Sequence, residues 1–212
     1  MIIDHHDKDY LRQRKSKNNG AYYYSQELTE NIIPHIKTDR PWVTIMVEGK
    51  CVDRAIYFIH NNLRPERYNF LSNYKDLILV CGVPETCEKV EHLGTPIYLP
   101  LSIDVEYVKQ FRANKTRGVC FAGRQSKGEL GVLPDGIDRL GNLPRQDLLE
   151  RMARYKYVYA VGRTALEAKV LRCKILPYDL RFPDVERWKV IDNKDVIPIL
   201  QKKLDEIDKE KK

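Results

Sequence analysis

The chain has 212 residues, of which 42% are hydrophobic and 32% are charged, with 11 glycines and 11 prolines. This composition excludes the fibrous and disordered classes and predicts one or two folded domains with a buried core. The formal net charge of +7 favours an anionic partner, such as a nucleotide, a nucleic acid or an anionic lipid surface. Both ends of the chain are rich in charged residues, so part of this charge is expected to do no more than keep the flanks solvated.

The cysteines and the amino-terminal sequence bear on the compartment. The five cysteines are scattered and form no CxxC pair, which predicts reduced and mostly buried thiols in a cytoplasmic protein without a metal site. The motif DHHD at residues 4–7 is not interpreted as a metal site, because adjacent side chains point in alternating directions. The chain starts without an apolar signal segment, and no stretch approaches the about 18 apolar residues of a membrane span. We therefore expect a soluble protein.

The first hundred residues divide into a polar segment and a series of short apolar runs. Residues 1–40 are polar, with an aromatic run followed by a helix that we expect to end at Pro34. From Trp42 onward, apolar runs recur at near-regular spacing, which is typical of buried parallel strands. We predict strands at 42–47, 55–60, 76–82 and 96–101, and helices at 67–74 and 84–94.

A second series of alternating strands and helices follows. We predict strands at 118–123, 136–141, 156–162, 174–179 and 188–192, and helices at 144–155, 164–172 and 194–212. Such alternation indicates an α/β fold with a mostly parallel sheet covered by helices on both faces. The polar segment 109–117 is the predicted boundary between a reduced first unit at 41–108 and a second unit at 109–212. We expect two Rossmann-like, doubly wound units that face a cleft, and one continuous sheet with a single switch point is the alternative.

A basic loop follows the strand at 118–123. Gly123 ends this strand, and Arg124 and Lys127 come next in a loop that also contains Gly128 and Gly131. Backbone amides and two cations at the carboxyl end of a strand suit a diphosphate, although solvated basic residues in such loops are common.

A second candidate site lies where the strand at 156–162 turns into a helix. Gly162, Arg163 and Thr164 place free amides and the positive end of the helix toward the same edge of the sheet. Glu167 follows one turn later, where a carboxylate can accept hydrogen bonds from a ribose diol. A surface carboxylate placed there by the helix dipole is the alternative interpretation.

Four segments follow one another over residues 96–179: PIYLPLSIDVEYV, GVCFAGRQSKG, IDRLGNLPRQDLLERMARYKYVYAVG and TALEAKVLRCKILPYD. Their order resembles the carboxyl-terminal lobe of GT-B glycosyltransferases, especially the glycogen-synthase-like retaining group. Upstream, AIYFIHNN and DLILVCGVPETCEKVEHLG are similar to parts of the first lobe, so that the resemblance covers residues 42–205.

The resemblance implies metal-independent transfer of a sugar from a nucleotide-sugar donor to an acceptor. Arg124 and Lys127 would then contact the donor phosphates, together with the amides of residues 163–165. Glu167 would bind the ribose, and His60 would lie near the acceptor or the transferred sugar. Because catalysis in this scheme depends on stabilising the leaving diphosphate, the predicted catalytic residues are His60, Arg124 and Lys127.

The chain departs from the family pattern at several places. Tyr159 stands eight residues before Glu167, where the retaining group has a carboxylate, and Cys173 stands where a glycine is usual. The spacing from Arg124 to Lys127 is short, and the first lobe is reduced. A non-catalytic nucleotide-binding or accessory protein therefore stays open, which could pair with a partner subunit or a second copy through aromatic residues such as those at 22–24.

The net charge leaves a third class of function open. The basic segment 12–17 lies close to the aromatic run at 22–24, a combination that suits nucleic-acid binding or modification of DNA bases. A nicotinamide-dependent oxidoreductase is disfavoured, because no predicted strand is followed by GxGxxG.

Overall fold

The computed structural model describes residues 2–3, 20–44, 51–59, 65–123, 133–141, 143–180, 182 and 184–210. The chain divides into two compact units, Met1–Leu101 with Lys194–Lys212, and Ser102–Asn193. The coarse prediction of an α/β fold with parallel sheets is confirmed, and each unit contains one such sheet.

The first unit holds a sheet of five described strands, all parallel. These strands are β1 (Ile2–Ile3), β2 (Trp42–Val43), β3 (Ile56–Ile59), β4 (Ile78–Cys81) and β5 (Thr95–Tyr98). They lie side by side in chain order, so among the described strands of this sheet the order nowhere reverses. In a doubly wound sheet the strand order reverses at one point, and proteins with such sheets bind their ligands at that point.

Helical segments connect these strands. They are α1 (Gly20–Glu27), a π-helical turn (Leu28–Ile32), 3₁₀ segments (Ile33–His35, Pro65–Asn73 and Glu91–Leu93), α2 (Pro84–Val90) and the terminal helix α6 (Asn193–Glu210). The predicted helix at 67–74 is thus a 3₁₀ segment. Pro34 does not end the preceding helical stretch but lies within its last 3₁₀ turn, where a missing amide costs no helix bond.

One face of the first sheet packs against the segments that follow its strands. Tyr57 and Leu79 point to this face and are almost fully buried, and Leu71 and Val90 cover them from the 3₁₀ segment and from α2. Each fully buried side chain of this size stabilises the fold by about 1.5–3 kcal/mol relative to an exposed one. Both central strands are buried along their whole length, which explains their continuous apolar sequence.

Helix α6 belongs to the first unit, whereas the sequence analysis assigned it to the second. Arg40 is 4% exposed and its guanidinium lies 3.1 Å from Asp76 and 3.2 Å from Asp208 of α6. Gln201 of α6 also accepts a hydrogen bond from the amide of Lys37 at 2.7 Å. These contacts between residues far apart in sequence explain why the terminal helix could not be assigned from local pattern.

The second unit contains four described strands, again parallel. They are β6 (Arg117–Phe121), β7 (Asp138–Arg139), β8 (Tyr155–Tyr159) and β9 (Lys174–Leu176). The segments between them include α3 (Val105–Lys109), α4 (Arg145–Met152), α5 (Arg163–Val170) and a 3₁₀ turn (Val185–Arg187). Asp104 caps α3, because its carboxylate accepts a hydrogen bond from the amide of Tyr107 at 2.9 Å.

The strand order in the second unit is β7-β6-β8-β9, which contains a reversal. From β6 the chain moves outward to β7, then returns past β6 to β8 and continues in the opposite direction to β9. The carboxyl ends of β6 and β8 therefore flank a topological switch point, which is where open α/β sheets bind ligands.

The predicted strand at 188–192 is wrong. Of this segment only Asp192 pairs, in a single parallel bridge with Ile103, and the amide of Asn193 donates to the Ile103 carbonyl at 3.1 Å. This short pairing joins the two ends of the second unit, which places its start at Ser102 rather than at residue 109.

Lys115 connects α4 and α5, the helices that precede and follow β8 in the chain. Its ammonium donates to the carbonyls of Ala153 and Leu171, at 2.7 Å each. These two residues end α4 and α5, so one cation satisfies the last carbonyls of both helices and lies at the negative end of both dipoles.

Candidate functional site

The candidate site is the edge of the second sheet at the carboxyl ends of β6 and β8. The amide of Ala122 donates to the carbonyl of Tyr159 at 3.0 Å, so the two strands stay paired up to this point. Beyond it the chain leaves the sheet on both strands, through Gly123 after β6 and Gly162 after β8. Two of the predicted glycines thus follow the carboxyl ends of neighbouring strands.

Gly123 is required by close packing. A Cβ atom at this position would lie 2.5 Å from the Tyr178 hydroxyl and 2.7 Å from the ring of Phe121. The two rings meet edge to face, with centroids 4.9 Å apart, and both are buried. Any larger residue would have to displace this pair, so the aromatic packing requires glycine at this position.

Gly162 is required by its backbone conformation. Its φ of 66° and ψ of −146° fall in a region that only glycine adopts readily. This geometry turns the chain from β8 directly into α5, and the Gly162 carbonyl accepts the first helix bond from Ala165 at 3.1 Å. The amides of Arg163 and Thr164 are in the first turn of α5. They have no hydrogen-bond acceptor within the helix, because the residues four positions earlier lie outside it. They present the positive end of α5 at the switch point.

Glu167 is buried and holds an ion pair. Its exposed fraction is 5%, and its Oε1 lies 3.1 Å from Nε and 3.0 Å from Nη2 of Arg145, the first residue of α4. The Arg145 guanidinium also lies over the ring of Tyr107 on α3, 5.2 Å from its centroid. Both Arg145 contacts fall on Oε1, so the second carboxylate oxygen is the one a ligand could use. The surface interpretation of Glu167 is therefore wrong.

Arg145 is the site residue that the sequence analysis missed. It lies 22 residues before Glu167 on a different helix, and only tertiary packing brings the two together. The sequence contains only a weak signal for Arg145. This basic residue directly follows Pro144 at the start of a helix, where the helix dipole disfavours a cation. A basic residue in that unfavourable place suggests a nearby carboxylate.

Several predicted residues lie outside the residues that the structure describes. These are His60, Arg124, Lys127 and the basic segment 12–17. Tyr159 is the last residue of β8 and is half-buried. Arg172, which follows the C-cap residue of α5, has a left-handed φ of 63°.

Cys173 is a buried thiol next to Lys115. Burial raises the pKa of this thiol, and the Lys115 ammonium 3.1 Å from its sulfur opposes the shift. Burial also raises the pKa of Cys51 to about 11 and of Cys120 to about 12. All five cysteines are free, and four of them are buried, so the prediction of reduced, mostly buried thiols agrees with the structure.

Comparison of the chain with protein-family models, with curated proteins and with solved structures found no match. In the part of the chain that the structure describes, no helix combines the length and the apolar character needed to span a membrane.

Proposed function

We propose that the second unit binds a nucleotide-diphosphate sugar at its switch point and that the protein transfers the sugar to an acceptor. The observation that carries this proposal is the reversal of strand order between β6 and β8, with α5 beginning directly after β8. This arrangement presents helix amides to an anion at the edge where α/β sheets bind ligands.

The diphosphate is assigned to the first turn of α5 and to the basic loop. The amides of Arg163 and Thr164 face the ligand through the positive helix end, and Arg124 and Lys127 follow Gly123 in the chain by one and four residues. Arginine and lysine at this point would offset the negative charge that develops on the leaving diphosphate, which is the main demand of this chemistry.

The ribose is assigned to Glu167. A carboxylate that is 5% exposed and held by Arg145 on one oxygen has a fixed orientation, because rotation would break two short contacts to the guanidinium. The second oxygen could accept hydrogen bonds from a ribose diol. Burial makes such bonds stronger than in water, since the surrounding dielectric is low.

A thermal-shift screen with nucleotides and nucleotide sugars tests the proposal. A ligand at a hundred times its Kd contributes about 2.7 kcal/mol, which for a chain of this size corresponds to a rise in Tm of about 5–10 °C. We expect such a rise with one class of nucleoside diphosphate and its sugars. The absence of any shift across the uridine, guanosine, adenosine and thymidine series would refute the proposal.

A non-catalytic nucleotide-binding role is the second candidate, and Tyr159 favours it. A phenol at the end of β8 cannot accept hydrogen bonds from the donor as a carboxylate does. The two roles differ in turnover: with the nucleotide sugar identified by the screen, release of the nucleoside diphosphate in the presence of an acceptor mixture indicates transfer. Binding without release under saturating donor indicates the non-catalytic role.

A further inference from the structure

A cavity of about 370 Å³ lies at the opposite edge of the second sheet. Its lining includes Arg117, Asp138 and Tyr155, which are the first residues of β6, β7 and β8. Most of the lining lies toward the amino ends of the strands, Arg139 pairs with Phe121 at the end of β6, and none of the lining residues belongs to the switch-point site. Its volume is within the range of small-molecule sites, which is about 300–1,000 Å³.

Arg117, Asp138 and Tyr155 all contact one another. The Arg117 guanidinium lies 3.2 Å from the Asp138 carboxylate and donates to the Tyr155 hydroxyl at 3.0 Å. The Tyr155 hydroxyl in turn donates to Asp138 at 2.5 Å. The hydrogen bond from Tyr155, and then the Arg117 cation, lower the pKa of Asp138. Asp138 is thus ionised at neutral pH and offsets the charge of Arg117.

Three further arginines line the same cavity: Arg139, Arg151 and Arg154. Their side chains are exposed, and no ion pair joins any of them to a carboxylate within the described ranges. The lining therefore carries four guanidinium groups against one carboxylate, an excess of three positive charges. Arginine stays protonated at all physiological pH values, so this excess is permanent.

Such an arrangement suits a phosphate-bearing ligand. A guanidinium binds phosphate oxygens through two parallel hydrogen bonds, which makes arginine better suited than lysine to this role. Three like charges on one small cavity repel one another when the ligand is absent, and an anion with several negative charges relieves that repulsion. An extended nucleic-acid strand would need a basic groove that continues along the surface, whereas this cavity is of small-molecule size.

We propose that this arginine pocket binds a small anion that carries two or more phosphate groups, at a site separate from the switch-point edge. The pocket has Arg139 on β7 and Arg151 on α4, with Arg154 after α4, so a ligand would connect β7 to the carboxyl end of α4. The proposal does not depend on sugar transfer at the other edge of the sheet.

Calorimetric titration of the full chain with inorganic tripolyphosphate tests the pocket. We expect saturable binding by one ion in the arginine pocket, in addition to any ion at the switch-point site, with an affinity higher than that of orthophosphate. The pocket affinity should fall by about tenfold or more for each arginine removed in Arg151→Ala and Arg154→Ala. Because both side chains are exposed, these variants should keep the fold, which circular dichroism verifies. Arg187→Ala is the matched control, since Arg187 is an exposed arginine of the same unit outside the pocket.

Two further arms separate the possible sources of binding. The titration is repeated in an Arg124→Ala/Lys127→Ala background, where binding to the arginine pocket should persist even if the proposed nucleotide-sugar site is lost. No saturable binding, an equal loss in Arg187→Ala, or disappearance of binding in the Arg124/Lys127 background would overturn the proposal. So would displacement of tripolyphosphate by a single-stranded oligonucleotide at lower concentration than by pyrophosphate, because that result indicates a nucleic-acid surface.

Discussion

The ion pair between Arg145 and Glu167 allows a quantitative test of the site. Replacing Glu167 by glutamine keeps the shape of the side chain and removes its charge. Replacing Arg145 by methionine keeps an apolar stem against the ring of Tyr107 and removes the guanidinium. Each change leaves the other group without its charged partner.

The exposed fractions of the two side chains set the expected cost. Removing one partner of a fully buried pair costs about 3–5 kcal/mol, because the remaining charge is left without compensation. The Glu167 side chain is 7% exposed and that of Arg145 is 16% exposed, so water can partly solvate the arginine but hardly the carboxylate. We expect about 2 kcal/mol for Glu167→Gln, and about 3 kcal/mol for Arg145→Met, which strands the more deeply buried charge.

Urea unfolding in a Trp42→Phe background provides the assay. The chain has two tryptophans, so this background leaves Trp188, which packs edge to face on Phe182 in the second unit, as the reporter of that unit. The double variant should be more stable than the sum of the two single losses predicts, by about 1–2 kcal/mol. Additive losses, within about 0.5 kcal/mol, would refute the conclusion that Arg145 and Glu167 form a coupled buried pair.

Three further predictions concern the ends of two helices and the buried thiols. Lys115→Met should lower the free energy of unfolding by about 2–3 kcal/mol in urea titration, because two helix-end carbonyls lose a charged donor. Arg172→Gly should raise Tm, with a gain of about 1 kcal/mol, because a left-handed φ of 63° strains any residue except glycine. The urea midpoint should fall as pH rises above 9.0, since unfolded thiols ionise there while burial keeps those of Cys51 and Cys120 protonated. Cys120→Val should make this decline shallower, and an unchanged slope would contradict the assignment.

The sequence predicted the strands and the sheet class because both depend on local pattern. Continuous apolar runs such as that of β4 identify a strand buried on both faces, and the glycine after β8 correctly marked the start of α5. The segment 188–192 also contains apolar residues, but only Asp192 pairs, in an isolated bridge with Ile103. Local pattern therefore indicates which segments can pair, and the presence of a partner decides which of them do.

Properties that depend on residues far apart in sequence could not be predicted. The strand order of each sheet and the attachment of α6 through Arg40 are set by packing between distant segments. The same holds for Glu167, whose sequence position was compatible with a ligand-binding carboxylate and with an exposed one. Its burial against Arg145 depends on the angle between α4 and α5, which no local pattern encodes.

Calorimetric titration of the preferred nucleotide sugar against three forms of the protein tests the central claim most directly. The forms are the native chain, Glu167→Gln, and Glu150→Gln, an exposed acid on α4 that serves as the matched control. We predict binding by one ligand to the native chain and to the control, and a loss of about tenfold or more in Glu167→Gln at a temperature where that variant is still folded. Equal affinity for all three forms, or no binding to the native chain, would contradict the assignment of the switch-point edge as a nucleotide-sugar site.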